Sequence, residues 1–157
     1  MEYNDFRNIF EEYSKKIAIN IDEEKINKFY TYMNLIRQWN KNINLTAITD
    51  PHEIILKHFI DSLTINKYIK QNAKIIDVGS GAGFPGIPLK ILRDDIDIVL
   101  LDSLNKRINF LNEVIEKLNL QKVVTIHSRA EELAKDHNYR EMFDYSTSRA
   151  VANMSTL

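Results

Sequence analysis

The stretch "IIDVGSGAGFPGIPLKI", Ile75 to Ile91, contains all four glycines of a 157-residue chain. An apolar run enters an acid, then the glycines, then a run with helical spacing. This is the pattern of a β-strand turning into a helix around a small molecule, because backbone approaches a ligand closely where there is no Cβ. Two cofactor classes use such a turn. Gly81-Ala-Gly83-Phe-Pro-Gly86 spells the dinucleotide fingerprint, whereas Gly79-Ser-Gly81-Ala-Gly83 spells the form used by S-adenosylmethionine enzymes.

The neighbouring residues weigh toward S-adenosylmethionine. Asp77 closes the strand two residues before Gly79. A carboxylate there repels a pyrophosphate and complements an ammonium or a sulfonium. Pro85 removes one N–H that would otherwise wrap phosphate oxygens at a helix N-terminus. Asp102 suits ribose hydroxyls in either cofactor and decides nothing. A nicotinamide-dependent oxidoreductase and a tight turn with no ligand remain the alternatives.

The flanking sequence supplies the rest of an α/β fold. Phe6, Ile9, Phe10, Tyr13 and Ile17 recur at helical spacing. Asn20 or Asp22 caps a second helix with a stripe of Ile26, Phe29, Tyr30, Met33, Ile36 and Trp39. Thr49 or Asp50, followed by Pro51, opens a third helix through "HEIILKHFIDSLTINKYI". From there "KIIDV", "DIDIVLLD", "VVTIH" and "MFDYSTSRA" read as strands, alternating with helices in "GIPLKILR", "SLNKRINFLNEVIEKLNL" and "SRAEELAKDH". Such alternation predicts an open parallel sheet with right-handed crossovers. The expected division is a helical extension over 1–70 and a Rossmann-like domain over 71–157. About four strands are present, with the fourth at an exposed edge where self-association is one expectation. The sheet is expected to continue beyond residue 157.

Composition excludes several classes. The chain has no cysteine, which removes disulfides, thiolate metal sites and thiol nucleophiles and fits a reducing compartment. The four histidines make no metal-ligand spacing, so no metal is expected. No apolar run approaches the roughly 18 to 20 residues that span a bilayer, and "MEYNDFRNIF" has no cationic leader before an apolar block. A cytoplasmic location away from membranes is expected. The net charge of −1 gives no global basic field, so any nucleic-acid contact must be a local patch.

No catalytic base stands out. Without cysteine the covalent route to carbon-5 of a pyrimidine is closed. The Asn/Asp-Pro-Pro-aromatic turn of exocyclic-amine methylases is absent from "YSTSRAVANM". An acceptor needing no activation, such as guanine N7 with its free lone pair, fits best. His58 and Asp61 share a helix face and read as an ordinary polar pair rather than a substrate contact. Glu131 is either a simple helix N-terminal acid or a group beside the adenine. Arg149 ends the fourth strand at the carboxyl edge, where open α/β sheets bind ligands. Lys106 and Arg107 begin a helix, where cations are disfavoured, and hint at phosphate contact against a plainer solvated role.

Six segments, "WNKNINLTAITDP", "KHFIDSL", "IIDVGSGAGFPGIPLKI", "LLDSLNKRINFL", "SRAEE" and "SRAVANMSTL", resemble the bacterial RsmG (GidB) family in order and spacing. The resemblance runs from about Tyr32 to the last residue. It implies a Rossmann-like methyltransferase sheet with an N-terminal helical extension and S-adenosylmethionine as donor. It implies N7 of a guanine in 16S ribosomal RNA, presented as RNA or as a small ribosomal subunit particle, as acceptor. By position it places Gly79 and Phe84 in the first cofactor loop, with Asp77, Gly81 and Gly83 around them. Asp102 and Ser103 match the ribose-binding strand end, Ala130 and Glu131 the adenine-lining pair, and Arg149 a further cofactor-site residue. It assigns no catalytic base. Family members continue for several more strands and helices, which puts the activity of this chain alone in question. Methylation of a small molecule or protein, and a non-catalytic binding role, stand beside the RNA reading.

Overall fold

A computed structural model of the chain describes residues 1–136, 139 and 142–149. Two amphipathic helices come first, α1 (Tyr3–Lys16) and α2 (Glu23–Trp39). Asp22, not Asn20, caps α2 by accepting the Lys25 N–H at 2.9 Å, with Glu23 and Glu24 in the first turn, where the helix dipole favours acids. The buried face of α2 includes Ile26, Phe29, Met33 and Ile36 as the spacing predicts, and adds Tyr32 and Leu35. Tyr30 is only half-buried and packs its ring edge-on to Tyr3.

The third helix is not uniform. Asp50 caps it by accepting the Glu53 N–H at 3.0 Å, and Pro51 opens α3 (Pro51–Glu53). A π-helical stretch, Ile54–Ile60, follows, then α4 (Asp61–Leu63) and a 3₁₀ turn, Thr64–Tyr68. The buried residues of the π stretch are Ile54, Ile55, Phe59 and Ile60. They fall in two pairs five apart, the repeat that i→i+5 bonding brings onto one face.

The sheet follows. Strands β1 (Lys74–Val78), β2 (Asp97–Asp102), β3 (Val123–His127) and β4 (Tyr145–Thr147) are parallel, in the order β3-β2-β1-β4. Between them lie α5 (Gly86–Leu92), α6 (Asn105–Lys117) and α7 (Ala130–Leu133). This is a Rossmann-like α/β sheet with an N-terminal helical extension, as expected. Alternation along β1 sends Ile75 and Asp77 to one face and Ile76 and Val78 to the other. On the first face one apolar cluster joins Phe10, Phe29 and Phe59 of the helices to Ile75, Ile87, Leu100 and Leu111 of the α/β part. The opposite face carries a small cluster of Ile76, Leu101 and Leu133. Among the described residues β4 is an edge strand, paired only with β1. The segment 150–157, part of the family resemblance, and His137 lie outside the described residues.

Tyr32 couples the two layers. Its ring is fully buried, stacks on Phe59 at 5.2 Å, and its hydroxyl donates to the carbonyl of Ala82 in the glycine turn. Replacing Tyr32 by Phe keeps the packing and leaves that carbonyl unpaired, a loss of about 1–3 kcal/mol. The expected result in chemical denaturation is a lower midpoint with an unchanged slope. An unchanged midpoint would mean that the Ala82 carbonyl is satisfied without Tyr32.

Candidate cofactor-binding site

The glycine turn, residues 79–85, sits at the carboxyl ends of β1 and β2, between two carboxylates that hold it from below and from the side. Asp77 lies inside the protein with no exposed surface, and its Oδ2 accepts the Gly86 N–H at 3.0 Å. A Cβ on Gly86 would come within 2.4 Å of Leu100 Cδ2 and 2.8 Å of Asp77 Oδ2, so glycine alone lets α5 settle onto the strands. Asp102 is 2 % exposed. Its Oδ2 accepts the Gly81 N–H at 2.8 Å and its Oδ1 the Leu104 N–H at 2.9 Å. Gly79, Gly81 and Gly83 all have positive φ, a conformation that side-chain-bearing residues adopt at a cost.

The amides of the turn are almost all engaged within the protein. Gly79 and Ser80 donate to the Leu101 carbonyl, Gly83 and Phe84 to the Ser80 carbonyl, and Ile87 to the Gly83 carbonyl. Gly81 and Gly86 are taken by the two aspartates, and Pro85 has no N–H. A phosphate cradle needs free amides pointing at the ligand; this turn offers few.

Two clefts open on either side of Gly79, Asp102 and Ser103, which line both. The first, about 370 Å³, is lined also by Val78, Leu101 and the segment Ser128, Arg129, Ala130 and Glu131. The second, about 510 Å³, runs past Gly81 and Phe84 to Arg107, Arg149, His58 and the segment Leu45, Thr46 and Ala47. Most of the residues singled out from the sequence therefore meet around two clefts that share Gly79, Asp102 and Ser103. Asp77 and Gly83 line neither. Asp77 serves the turn from beneath, and a Cβ on Gly83 would strike Ile87 and the Tyr32 hydroxyl, so Gly83 is a packing residue. The direct attraction to a cationic ligand expected of Asp77 has no geometric counterpart here.

Burial pushes the Asp77 carboxyl up to about 8, against the opposing Gly86 amide bond and the charge of Arg149. Asp77 Oδ1 and Thr147 Oγ1, in register on β1 and β4, are both buried without a hydrogen-bond partner of good geometry. The Gly86 amide leads the groups that favour the ionised form.

Arg149 does not meet a free anion. Its guanidinium donates to Ser62 Oγ at 3.0 Å and to the Lys57 carbonyl at 3.0 Å, and pairs with Asp61 Oδ2 at 3.2 Å. It also lies 5.5 Å from the Phe84 ring centre. The end of β4 is thereby tied to the π-helical stretch. His58 consequently does not pair with Asp61. Its Nε2 shares a 2.7 Å hydrogen bond with Thr46 Oγ1, and its ring stacks on Phe84 at 4.2 Å and 12°. Burial first, then the Arg149 charge, lowers His58 to about 4. Thr46 and Ala47 line the cleft without having been singled out from the sequence, and His58, read there as an ordinary polar pair with Asp61, lines it too, although "WNKNINLTAITDP" and "KHFIDSL" are among the segments carrying the resemblance.

The fold and the clefts at the strand ends define an open Rossmann-like α/β sheet with a ligand-sized opening at its carboxyl edge. A solved chain from Plasmodium falciparum, described as a beta-aspartate methyltransferase in complex with S-adenosyl-L-homocysteine, matches with a TM-score of 0.56 at 20% identity, covering 94% of this chain and 74% of that one. The model of the family "rRNA small subunit methyltransferase G" matches residues 25–157, and the chain belongs to that family. Among curated relatives, the Ribosomal RNA small subunit methyltransferase G of Clostridium botulinum (strain Eklund 17B) is 55% identical over 92% of this chain and 61% of its own length. That of Acetivibrio thermocellus is 51% identical over 96% of this chain and 63% of its own. The chain thus spans somewhat under two thirds of the length of these relatives.

The raised Asp77 carboxyl gives a signed prediction. Between about pH 4 and 8 the unfolded chain carries an ionised Asp77 and the folded chain a protonated one, so the folded state binds more protons. Its contribution to stability is full below the ordinary carboxylate range and is lost as pH rises through about 8. Asp77→Asn removes the titration and keeps an acceptor for Gly86. Thermal melts should show the variant gaining on the wild type as pH rises from 4 to 8. A constant difference across that range would mean Asp77 is ionised throughout.

Proposed function

We propose that this chain is the cofactor-binding part of a methyltransferase that uses S-adenosylmethionine to methylate N7 of a guanine in 16S ribosomal RNA, acting in the cytoplasm on the RNA or on a small ribosomal subunit particle. The observation that carries the reading is the family match over residues 25–157, on a chain whose matched segments converge on the two clefts. No helix among the described residues is long and apolar enough to cross a membrane.

The site residues fit the donor. Gly79 and Gly81 let the backbone come close. Asp102 accepts one amide on each oxygen and keeps lone pairs free for ribose hydroxyls, since a carboxylate has about four acceptor sites. Ala130 and Glu131 border the smaller cleft and would form an edge for the adenine, and Ser103, shared by both clefts, would be in reach of either part of the donor. Phe84 and Arg149 close the other side. Asp77 and Gly83 support the turn from beneath.

When bound, the donor supplies a methyl group on a positively charged sulfur. An acceptor atom with a free lone pair would take that methyl group and its positive charge, and the sulfur would keep the bonding pair. N7 carries no proton, so this chain has none to remove and works by alignment, which can contribute roughly 7–11 kcal/mol. The helical extension over 1–70 forms the wall facing the acceptor. The outer edge of β4 is where a further strand, from a longer chain or a second copy, would pair.

Calorimetry on the full-length protein should show binding of S-adenosylhomocysteine and none of NAD(H). Small-subunit rRNA from cells lacking the protein should lack one N7-methylguanine by mass spectrometry. NAD(H) binding alone, or an unchanged rRNA with label transferred only to metabolites, would overturn the reading.

A further inference from the structure

The larger cleft has a second half that the donor does not explain. Beyond Gly81 and Phe84 its walls come from the helical extension, namely the segment Leu45, Thr46 and Ala47 and the ring of His58. This half is built rather than incidental. Asn40, at the end of α2, accepts the Leu45 and Thr46 N–H groups at 2.8 and 3.1 Å and donates to the Thr46 carbonyl at 3.0 Å. Thr46 Oγ1 in turn accepts the Ile48 N–H at 3.1 Å and holds His58 Nε2. His58 lines the cleft and one face of its ring is covered by Phe84, itself only 7 % exposed, so a ligand that stacks on the ring has only the other face to use. The ring's second nitrogen, Nδ1, is buried and has no hydrogen-bond partner. Both the plane and the tilt of the imidazole are therefore set before anything binds.

Resting on the methyltransferase reading above, we propose that the Leu45–Ala47 segment and the outer face of His58 form the subsite for the acceptor base, with His58 as a stacking platform for a purine. Stacking of a base on an aromatic face contributes about 1–3 kcal/mol in single-stranded nucleic-acid complexes. A flat ring on a fixed backing suits a base that has been turned out of its own stack. Charge agrees with the assignment. Methylation at N7 leaves a cationic purine, and an uncharged imidazole face attracts a cation, whereas a protonated one repels it. The neighbouring Arg149 and the burial of the ring both keep His58 uncharged near neutral pH. Arg107 lines the same cleft, in a loose ion pair with Asp102 at 3.8 Å and with its side chain partly exposed, and brings positive charge to the side where the phosphate of the extruded nucleotide would lie.

The test uses the full-length protein with small-subunit rRNA, or the particle, as methyl acceptor. His58→Ala should lower kcat/KM for the RNA at least tenfold while the Kd for S-adenosylhomocysteine stays within twofold of wild type. His58→Phe, which restores a flat ring but not the hydrogen bond to Thr46, should recover at least fivefold over the alanine variant. If kcat/KM for His58→Ala stays within twofold of wild type, or if Phe is no better than Ala, the subsite is wrong. Loss of S-adenosylhomocysteine binding in His58→Ala also overturns it, because His58 would then serve the donor side or the fold. Failure of the wild type itself to bind S-adenosylhomocysteine instead removes the methyltransferase reading.

Discussion

A buried carboxyl group placed against a glycine amide organises this molecule. Asp77 occupies the centre of the sheet, at the end of β1, and its side chain points into the layer covered by α5 rather than into the cleft. Burying such a group without a partner is costly. Here the Gly86 N–H supplies the bond, and the missing Cβ of Gly86 lets the helix approach near enough to give it. Asp102 repeats the device one strand over, joining β2 to Gly81 and to the entrance of α6. The turn is therefore stretched between two strand ends, and its shape is set before a ligand arrives.

The helical extension completes the site. Phe84, near the end of the turn, is enclosed by His58, Tyr32 and Phe59 from the first seventy residues and by Arg149 from beyond β4. Arg149 spends its hydrogen bonds on Ser62 and on a carbonyl of the π-helical stretch. A widened helical turn displaces its backbone groups from the usual ladder, and an arginine fork is well suited to collecting them. Strand, turn and extension are thus held by one aromatic cluster with a cation at its rim. Pieces far apart in sequence become one wall of the cleft.

The architecture was legible because it is written in local pattern. "KIIDV" and "VVTIH" coincide with β1 and β3, since short runs rich in β-branched residues, too short for a helix, mark strands. Asp50 and Pro51 likewise mark a helix start by their own chemistry. The π-helical stretch was not legible, because Ile54, Ile55, Phe59 and Ile60 also fit a helix of ordinary period with a broad buried face. Tyr32 was missed for a related reason. It lies between Phe29 and Met33 on a helix buried on more than one side, while Tyr30, which fits a single stripe, is only half-buried. His58 and Asp61 share a helix face, but the partners that separate them, Thr46 and Arg149, come from elsewhere in the chain. Spacing along one helix carries no information about either.

Asp77 shows most clearly how a correct expectation can rest on the wrong cause. From the sequence, an acid before the glycines argues against a pyrophosphate by repulsion. In the fold that acid faces away from the cleft, and its carboxyl is raised to about 8, so it is mostly uncharged near neutral pH and repels little. What disfavours a phosphate is the hydrogen-bond accounting of the turn. Leu101, Ser80, Gly83, Asp77 and Asp102 between them take the N–H groups of five turn residues and of Gly86 and Ile87 at the start of α5, and Pro85 contributes none. A diphosphate held here would have to displace those acceptors and leave two buried carboxylates without their amides. A ligand that needs only closeness to the backbone, with its hydroxyls on Asp102, disturbs none of them. Selection against a dinucleotide therefore lies in which backbone donors remain free, and the two aspartates act on it by occupying them.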